Sequence, residues 1–328
     1  MDFIANIHNI FKVEISQLNL VINQSINSTT PLLNNIVNYF FKLKSKRLRP
    51  LLAITCNKLF SGAIKEIDIR LAAAIELLHT ATLLHDDVID NSFMRRFEKT
   101  VNAKWDNKAS ILAGDVLLSR SFSLILEARS FDVLESFNIA INNLVDGEIE
   151  NLNFQKTNTV ISEEQYWKLI GKKTADLFCL ACKIPAITSS QDLSNIKLIS
   201  EFGYLLGMLF QVTDDILDYK VDNILGKNCG DDFFEGKITL PIIFLLQTLE
   251  EDTKKQLLQI FSAPVRSYSD MIFIQKLLLD YKIHTRLDNT VLKLHDDCIN
   301  LLKQIHLNNK EFKNILILMV EYCAKRVN

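Results

Sequence analysis

Glycine and proline are the residues that most often end a helix, and this chain uses them sparingly: nine glycines and five prolines in 328 residues, with long stretches free of both. With 48% apolar residues available for a core, so lightly punctuated a chain points to an all-α fold. Ile4, Ile7, Phe11, Ile15, Leu18 and Ile22 recur at helical period, which predicts a docking helix over 3–26. Helices are expected after Pro31 and Pro50, over about 67–91, 109–130, 133–153 and 163–183, from Asp192 to Tyr219, after Pro241, and over 252–262, 269–281, 284–304 and 310–326. Ser162 and Gln165 suit a capping box, and Pro185 is expected to close the helix that they open. Gly203 and Gly207 lie a turn apart and would let another helix or a ligand come close. No strand alternation or linker interrupts the pattern, so 1–328 reads as a single-domain helical bundle.

At the end of the helix over 67–91, Asp86 and Asp90 stand at i and i+4 with Asp87 beside them, so three carboxylates share one face. Their mutual repulsion asks for a cation, and oxygen donors with little His or Cys nearby favour a hard divalent ion, Mg²⁺ above all. Asp214, Asp215 and Asp218 repeat the spacing at the end of another apolar helix. Two facing triads would line a cleft with oxygen and hold several Mg²⁺ ions, as the binding and departure of a diphosphate require. His295-Asp296-Asp297 resembles the first triad superficially, but Asn300 takes the third position and Lys293 and Lys303 flank it, as on a solvated face.

The formal net charge of −2 gives no general affinity for nucleic acid. Six scattered cysteines in apolar context read as reduced core thiols in a cytoplasmic protein, and Cys179-Leu180-Ala181-Cys182 lacks the second pair that a zinc site needs. The first twenty residues lack the features of a signal or transit peptide, and no continuous apolar run reaches the ~18 residues of a membrane span.

A departing diphosphate also needs fixed cations. They occur as Lys46-Arg47-Leu48-Arg49-Pro50, Arg95-Arg96, Lys173-Thr174, and Lys227 and Lys237 in the glycine-bearing stretch after Asp218. Together with His79 to Asp90, Gly114-Asp115, Gly147-Glu148, Phe210-Gln211, and Leu225-Gly226-Lys227 through Thr239-Leu240-Pro241, the chain resembles the trans-prenyl diphosphate synthases from about Lys46 to Arg326, the long-chain octaprenyl members most of all.

The resemblance implies an isoprenoid-synthase helical fold with the active site in a central cavity. It implies that Asp86, Asp87, Asp90, Asp214, Asp215 and Asp218 bind the Mg²⁺ ions that hold an allylic diphosphate, with Arg95, Lys173, Lys227 and Lys237 on the same diphosphate. Lys46, Arg49, His79 and Arg96 would bind isopentenyl diphosphate, Phe210 would pack on its isopentenyl group, and Thr174 and Gln211 would face the developing carbocation. Small residues at Ala81 and Thr82 would leave open a tunnel for a long product, near eight isoprene units, destined for a quinone side chain. A homodimer without a membrane span, touching the membrane peripherally to release product, is expected. Three departures stand out: Lys44-Ser45 replaces Gly-Gly, Phe97 replaces Gly, and Asn151 replaces Gln.

A short-chain farnesyl or geranylgeranyl diphosphate synthase is the alternative within the resembled family, while class I terpene cyclases and head-to-head condensing synthases would share the aspartates without needing the second diphosphate site at Lys46, Arg49, His79 and Arg96. A metal phosphohydrolase built on His85-Asp86 would need further histidines in company. A helical scaffold would need neither triad.

Overall fold

The computed structural model describes residues 3–43, 45–95, 97–157, 160–220, 230–305 and 309–326, and the side chains of 155–157 lie outside that description. Within it the chain is almost wholly helical. The first part runs through α1 (Phe3–Ile10), α2 (Lys12–Ile26), α3 (Pro31–Lys42), α4 (Leu48–Ser61), α5 (Glu66–Ile89), α6 (Val101–Lys104), α7 (Asn107–Glu127) and α8 (Phe131–Thr157). After these come α9 (Glu163–Ile170), α10 (Asp176–Thr188), α11 (Leu193–Asp218), α12 (Asp231–Glu235), α13 (Leu240–Thr248), α14 (Glu251–Ser262), α15 (Tyr268–Asp280), α16 (Ile283–Gln304) and α17 (Lys310–Lys325). The chain divides into two compact units. One comprises Met1–Ile139, Leu177–Gly203 and Leu302–Leu318, and the other Ala140–Asp176, Tyr204–Leu301 and Met319–Asn328.

In the first unit α5 is the core helix and packs against α2, α4 and α7. Ala72, Ala73 and Ala74 favour the helix intrinsically and leave room for neighbours, while Leu71, Ile75, Leu77 and Leu78 are almost completely buried. Each such aliphatic side chain contributes about 1.5–3 kcal/mol by leaving water. Asp68 secures the N-terminus: its Oδ2 accepts the Lys65 N–H at 2.9 Å and its Oδ1 the Thr188 hydroxyl at 3.0 Å. At the other end the Asp90 N–H still donates to the Asp86 carbonyl at 2.8 Å, and then Asn91 turns through φ 52°. Asn is among the few residues that adopt that region readily, so the helix stops one residue short of the third aspartate.

Several expectations need correction. The helix over 3–26 is two, with Phe11 at φ −102°, ψ 28° between them. Its ring is buried and stacked on Phe312, centroids 6.1 Å apart, so tertiary packing decides the break. Pro185 lies inside α10 instead of closing it. A proline in a helix costs about 3 kcal/mol; the flanking Leu180, Ala181, Ile184 and Ala186 are all buried here, and their combined transfer from water outweighs that. The continuous helix expected over 163–183 contains a π-helical turn, Gly171–Ala175. A short antiparallel pair, Met94–Arg95 with Glu98–Lys99, stands where no strand is expected. It turns through Phe97 at φ 66°. This is the left-handed region that glycine enters freely and that costs another residue roughly 1–2 kcal/mol.

Gly203 performs the service expected of it. A Cβ there would lie 2.7 Å from the Phe178 carbonyl oxygen and 2.8 Å from Cys182 Sγ, so only glycine lets α11 approach α10 this closely. The capping box at Ser162 also forms, with the Gln165 N–H on Ser162 Oγ at 3.2 Å and the Ser162 N–H on Gln165 Oε1 at 2.8 Å.

Candidate active site

The first aspartate group sits at the C-terminal end of α5, where the helix leaves the core. Asp86 and Asp90 are half-buried, and the Asp87 side chain is 1% exposed. Arg95, carried by the strand pair, closes on Asp87 with two nitrogens: Nη2 at 2.7 Å and Nε at 3.0 Å from Oδ1. The two-nitrogen grip keeps a buried carboxylate from standing unpaired, a state that costs several kcal/mol. Asn102 Nδ2 ties the turn by donating to the Asp87 carbonyl at 3.1 Å and the Ser92 carbonyl at 3.0 Å. His85 turns away, its Nε2 3.1 Å from the Ile111 carbonyl oxygen and 3.4 Å from Asp115 Oδ1. Gly114 makes that possible, since a Cβ there would lie 2.3 Å from His85 Nε2.

In the same unit the upstream basic cluster opens α4. Arg49 Nη1 donates to His79 Nε2 at 3.0 Å, which leaves the ring proton of His79 on Nδ1. The Arg49 guanidinium also lies 4.6 Å from the centroid of the Phe178 ring. Burial draws Arg49 down to about 10, against the opposing charge of Glu76. Lys46 is exposed, and its carbonyl oxygen stands 3.3 Å from His8 Nε2. Ala81 is 2% exposed on α5, and Thr82 is half-buried with its hydroxyl on the His79 carbonyl at 2.8 Å.

The second aspartate group ends α11, in the other unit. A chain of hydrogen bonds converges on Asp215: Thr174 Oγ1 donates to Gln211 Oε1 at 2.7 Å, Gln211 Nε2 donates to Asp215 Oδ1 at 2.7 Å, and the Tyr166 hydroxyl donates to Asp215 Oδ2 at 2.6 Å. Lys173 and Thr174 lie on the π turn, an irregularity often found at functional sites, and Lys173 Nζ is 2.8 Å from Glu148 Oε1. Asp218 Oδ2 accepts the Phe233 N–H at 3.4 Å. Lys237 Nζ lies 2.5 Å from Glu235 and 3.9 Å from Asp232. Asp214 pairs with Arg326 Nη2 at 2.7 Å, and that guanidinium lies 4.7 Å from the centroid of the Phe210 ring.

Desolvation raises the Asp215 carboxyl well above its ordinary value, and the charges of Asp232 and Asp214 push the same way against the Tyr166 and Gln211 donors. Burial likewise raises the Tyr166 phenol, with Asp215 next in effect. A partly buried donor set made of aspartate oxygens fits a hard divalent ion. Among the described residues no three carboxylates already form a cage.

The polyprenyl synthetase family model matches residues 30–276. The chain belongs to the polyprenyl synthetase family. This polyprenyl synthetase is 38% identical over 244 residues to the octaprenyl diphosphate synthase of Escherichia coli, covering 74% of each chain. It is 31% identical over 330 residues to the geranylgeranyl diphosphate synthase of Sulfolobus acidocaldarius, covering 97% of this chain and 98% of that one. The solved polyprenyl synthase of Caulobacter crescentus, complexed with calcium and isoprenyl diphosphate, superposes with a TM-score of 0.90 at 27% identity, covering 99% and 98% of the two chains. The fold is thus the all-α fold of isoprenyl synthases, and the protein is a prenyl-transferring enzyme.

Arg96 and Lys227 lie outside the described residues. Tyr166, Glu76 and Arg326 are polar partners of the site that sequence reasoning passed over. Tyr166 is 49 residues from Asp215 and Arg326 is 112 from Asp214, so neither pairing carries a local signal. A glutamate in the middle of the apolar run from Leu71 to Leu78 was the one visible sign of Glu76.

Proposed function

We propose that this enzyme condenses isopentenyl diphosphate head-to-tail onto an allylic diphosphate in a Mg²⁺-dependent reaction, making a long-chain polyprenyl diphosphate near eight units. The observation that carries the reading is the pairing of two Asp-x-x-x-Asp groups with an arginine–histidine site at Arg49 and His79, since head-to-tail growth needs places for two diphosphates. Asp86, Asp87, Asp90, Asp214, Asp215 and Asp218 would hold the metal. When bound, Mg²⁺ supplies the charge that grips the allylic diphosphate and eases its departure.

Arg95, Lys173, Lys227 and Lys237 neutralise the same diphosphate, while Lys46, Arg49, His79 and Arg96 hold isopentenyl diphosphate, with Phe210 against its hydrocarbon. The allylic C1–O bond breaks, and Thr174 and Gln211 present oxygens to the resulting cation. The double bond of isopentenyl diphosphate attacks C1, and the C2 proton leaves to the released diphosphate. No protein nucleophile takes part.

The relatives include both octaprenyl and geranylgeranyl synthases, and the long product is favoured here by the small side chain of Ala81, buried on α5 one turn before Asp86. The pathway is read as quinone side-chain synthesis in the cytoplasm, by a homodimer. That assembly is supported by Ile111, Leu112 and Leu126 of α7, which stand 42%, 64% and 62% exposed. Among the described residues α7 is also the one helix long and apolar enough to cross a membrane, but its inner face packs on α5, as a core helix does.

Incubation of the protein with an allylic diphosphate, labelled isopentenyl diphosphate and Mg²⁺ tests the reading. Label should enter products up to about eight units, and Asp86→Ala or Asp214→Ala should lower turnover by at least ~100-fold with the fold intact. Cyclised products, or no incorporation of label by the wild type, would overturn it.

A further inference from the structure

Glu76 lies on α5, one turn before His79, with only 4% of its surface exposed. A carboxylate so deep in an apolar helix costs several kcal/mol unless cations and donors compensate it. The compensation comes from the start of α4. Ser45 Oγ donates to Glu76 Oε1 at 3.4 Å, and Ser45 Oγ in turn accepts the Arg47 N–H at 3.3 Å. The charge of Glu76 acts on both the Arg47 and the Arg49 guanidinium. Ser45 stands where the family resemblance leads one to expect glycine, so this link belongs to the present chain.

Arg47 is held under strain. Its backbone takes φ 47°, ψ 41°, a conformation that costs an L-residue of this kind about 1–2 kcal/mol. Even so, two buried donors in the cluster, Arg47 Nη1 and Arg49 Nε, have no hydrogen-bond partner among the described residues, although Arg49 Nη1 is engaged by His79. Arg47 and Arg49 bring two positive charges against one from Glu76. The charge left over, on planar guanidinium groups with donors to spare, matches a phosphate or diphosphate group.

We infer that Glu76 is a positioning residue for this cluster, holding Arg47 and Arg49 so that their remaining N–H groups donate to the diphosphate of isopentenyl diphosphate, with Arg47 a further binding residue. The inference rests on the reading proposed above, which assigned Lys46, Arg49 and His79 to that substrate and left Arg47 and Glu76 without a role.

The test is Glu76→Gln, which keeps size and removes charge, compared with wild type in the full chain. The KM for isopentenyl diphosphate should rise about tenfold, while kcat and the KM for the allylic substrate stay within about twofold. Arg47→Met should do the same, and the double variant should be no more than about twofold worse than either single one, because both act on one contact. Titration of inorganic diphosphate by calorimetry, with isopentenyl diphosphate in parallel, should show both ligands weakened by Glu76→Gln.

A purely structural Glu76 would lower the melting temperature and leave the isopentenyl KM in place, which overturns the inference. A fall in that KM would overturn it too, since Glu76 would then be repelling the anion. Should Glu76→Gln fail to fold, Arg47→Met decides: an unchanged isopentenyl KM refutes the role of Arg47. An inactive wild type would instead overturn the reading of function.

Discussion

Asp215 is the residue on which the local physics presses hardest. Its carboxylate is almost fully buried and faces Asp214 and Asp232, while Tyr166 and Gln211 donate to it. Because its folded pKa is raised, the folded protein holds a proton there that the unfolded chain has already released above about pH 4. The stabilisation is therefore present below that pH and is lost as pH rises through the raised folded value. A divalent ion binds the carboxylate and not the acid, so metal binding should expel this proton and tighten as pH rises. Calorimetric titration of Mg²⁺ in two buffers of different ionisation heat checks this. Proton release appears as a difference in apparent enthalpy between the buffers, and equal enthalpies would remove Asp215 protonation from the account. Asp87 contrasts with Asp215, since the two-nitrogen contact of Arg95 supplies a positive partner directly.

At the scale of the element, α5 links core packing to chemistry. One stretch of helix carries Glu76 and His79 beside the basic cluster, buried Ala81, and the aspartates at its end. Cβ atoms point toward the helix N-terminus, so a chain growing away from Asp86 into the protein would meet the turn that carries Ala81 and Thr82. An isoprene unit is about as long as one helical turn, ~5.4 Å, so eight units extend ~43 Å, beyond the ~30 Å of a twenty-residue helix. Such a tail needs the path past Ala81 kept open. Ala81→Phe should shorten the products to about three or four units while leaving the first condensation largely intact, as read by chromatography of the labelled products. A wild-type length distribution from this variant would place the tail elsewhere. A ring that does not fit the free space at this buried position also costs about 1–3 kcal/mol of stability, so the assay belongs well below the melting temperature.

For the molecule as a whole, the exposed apolar residues of α7 bear on assembly. Leu112, 64% exposed, projects from a helix whose opposite face holds Ala113 and Leu117 in the core. In the proposed homodimer this outer face would be covered by the second copy. Light scattering of the wild type should give about twice the chain mass. Leu112→Glu, which puts a charge into that contact and disturbs no core residue, should shift the mass toward one chain. A wild-type monomer, or a variant that stays dimeric, would show that α7 is not the interface.

What the sequence determined by itself was whatever depends on near neighbours. Helical periodicity, the capping box at Ser162, the proline that opens α13 and the i, i+4 spacing of the aspartates all follow from geometry within a few residues, and all are present in the structure. So many ordered motifs also brought the family within reach of the sequence. Tertiary structure decided what depends on residues far apart along the chain. Phe312 breaks the first helix at Phe11, and burial keeps Pro185 inside α10. Tyr166 comes to Asp215 and Arg326 to Asp214, while Glu76 is set beneath Ser45, Arg47 and Arg49. A carboxylate in a list of residues has no fixed pKa or partner. Both are set by burial and by which charges the folded chain brings within a few ångströms, quantities that exist only once distant segments have packed.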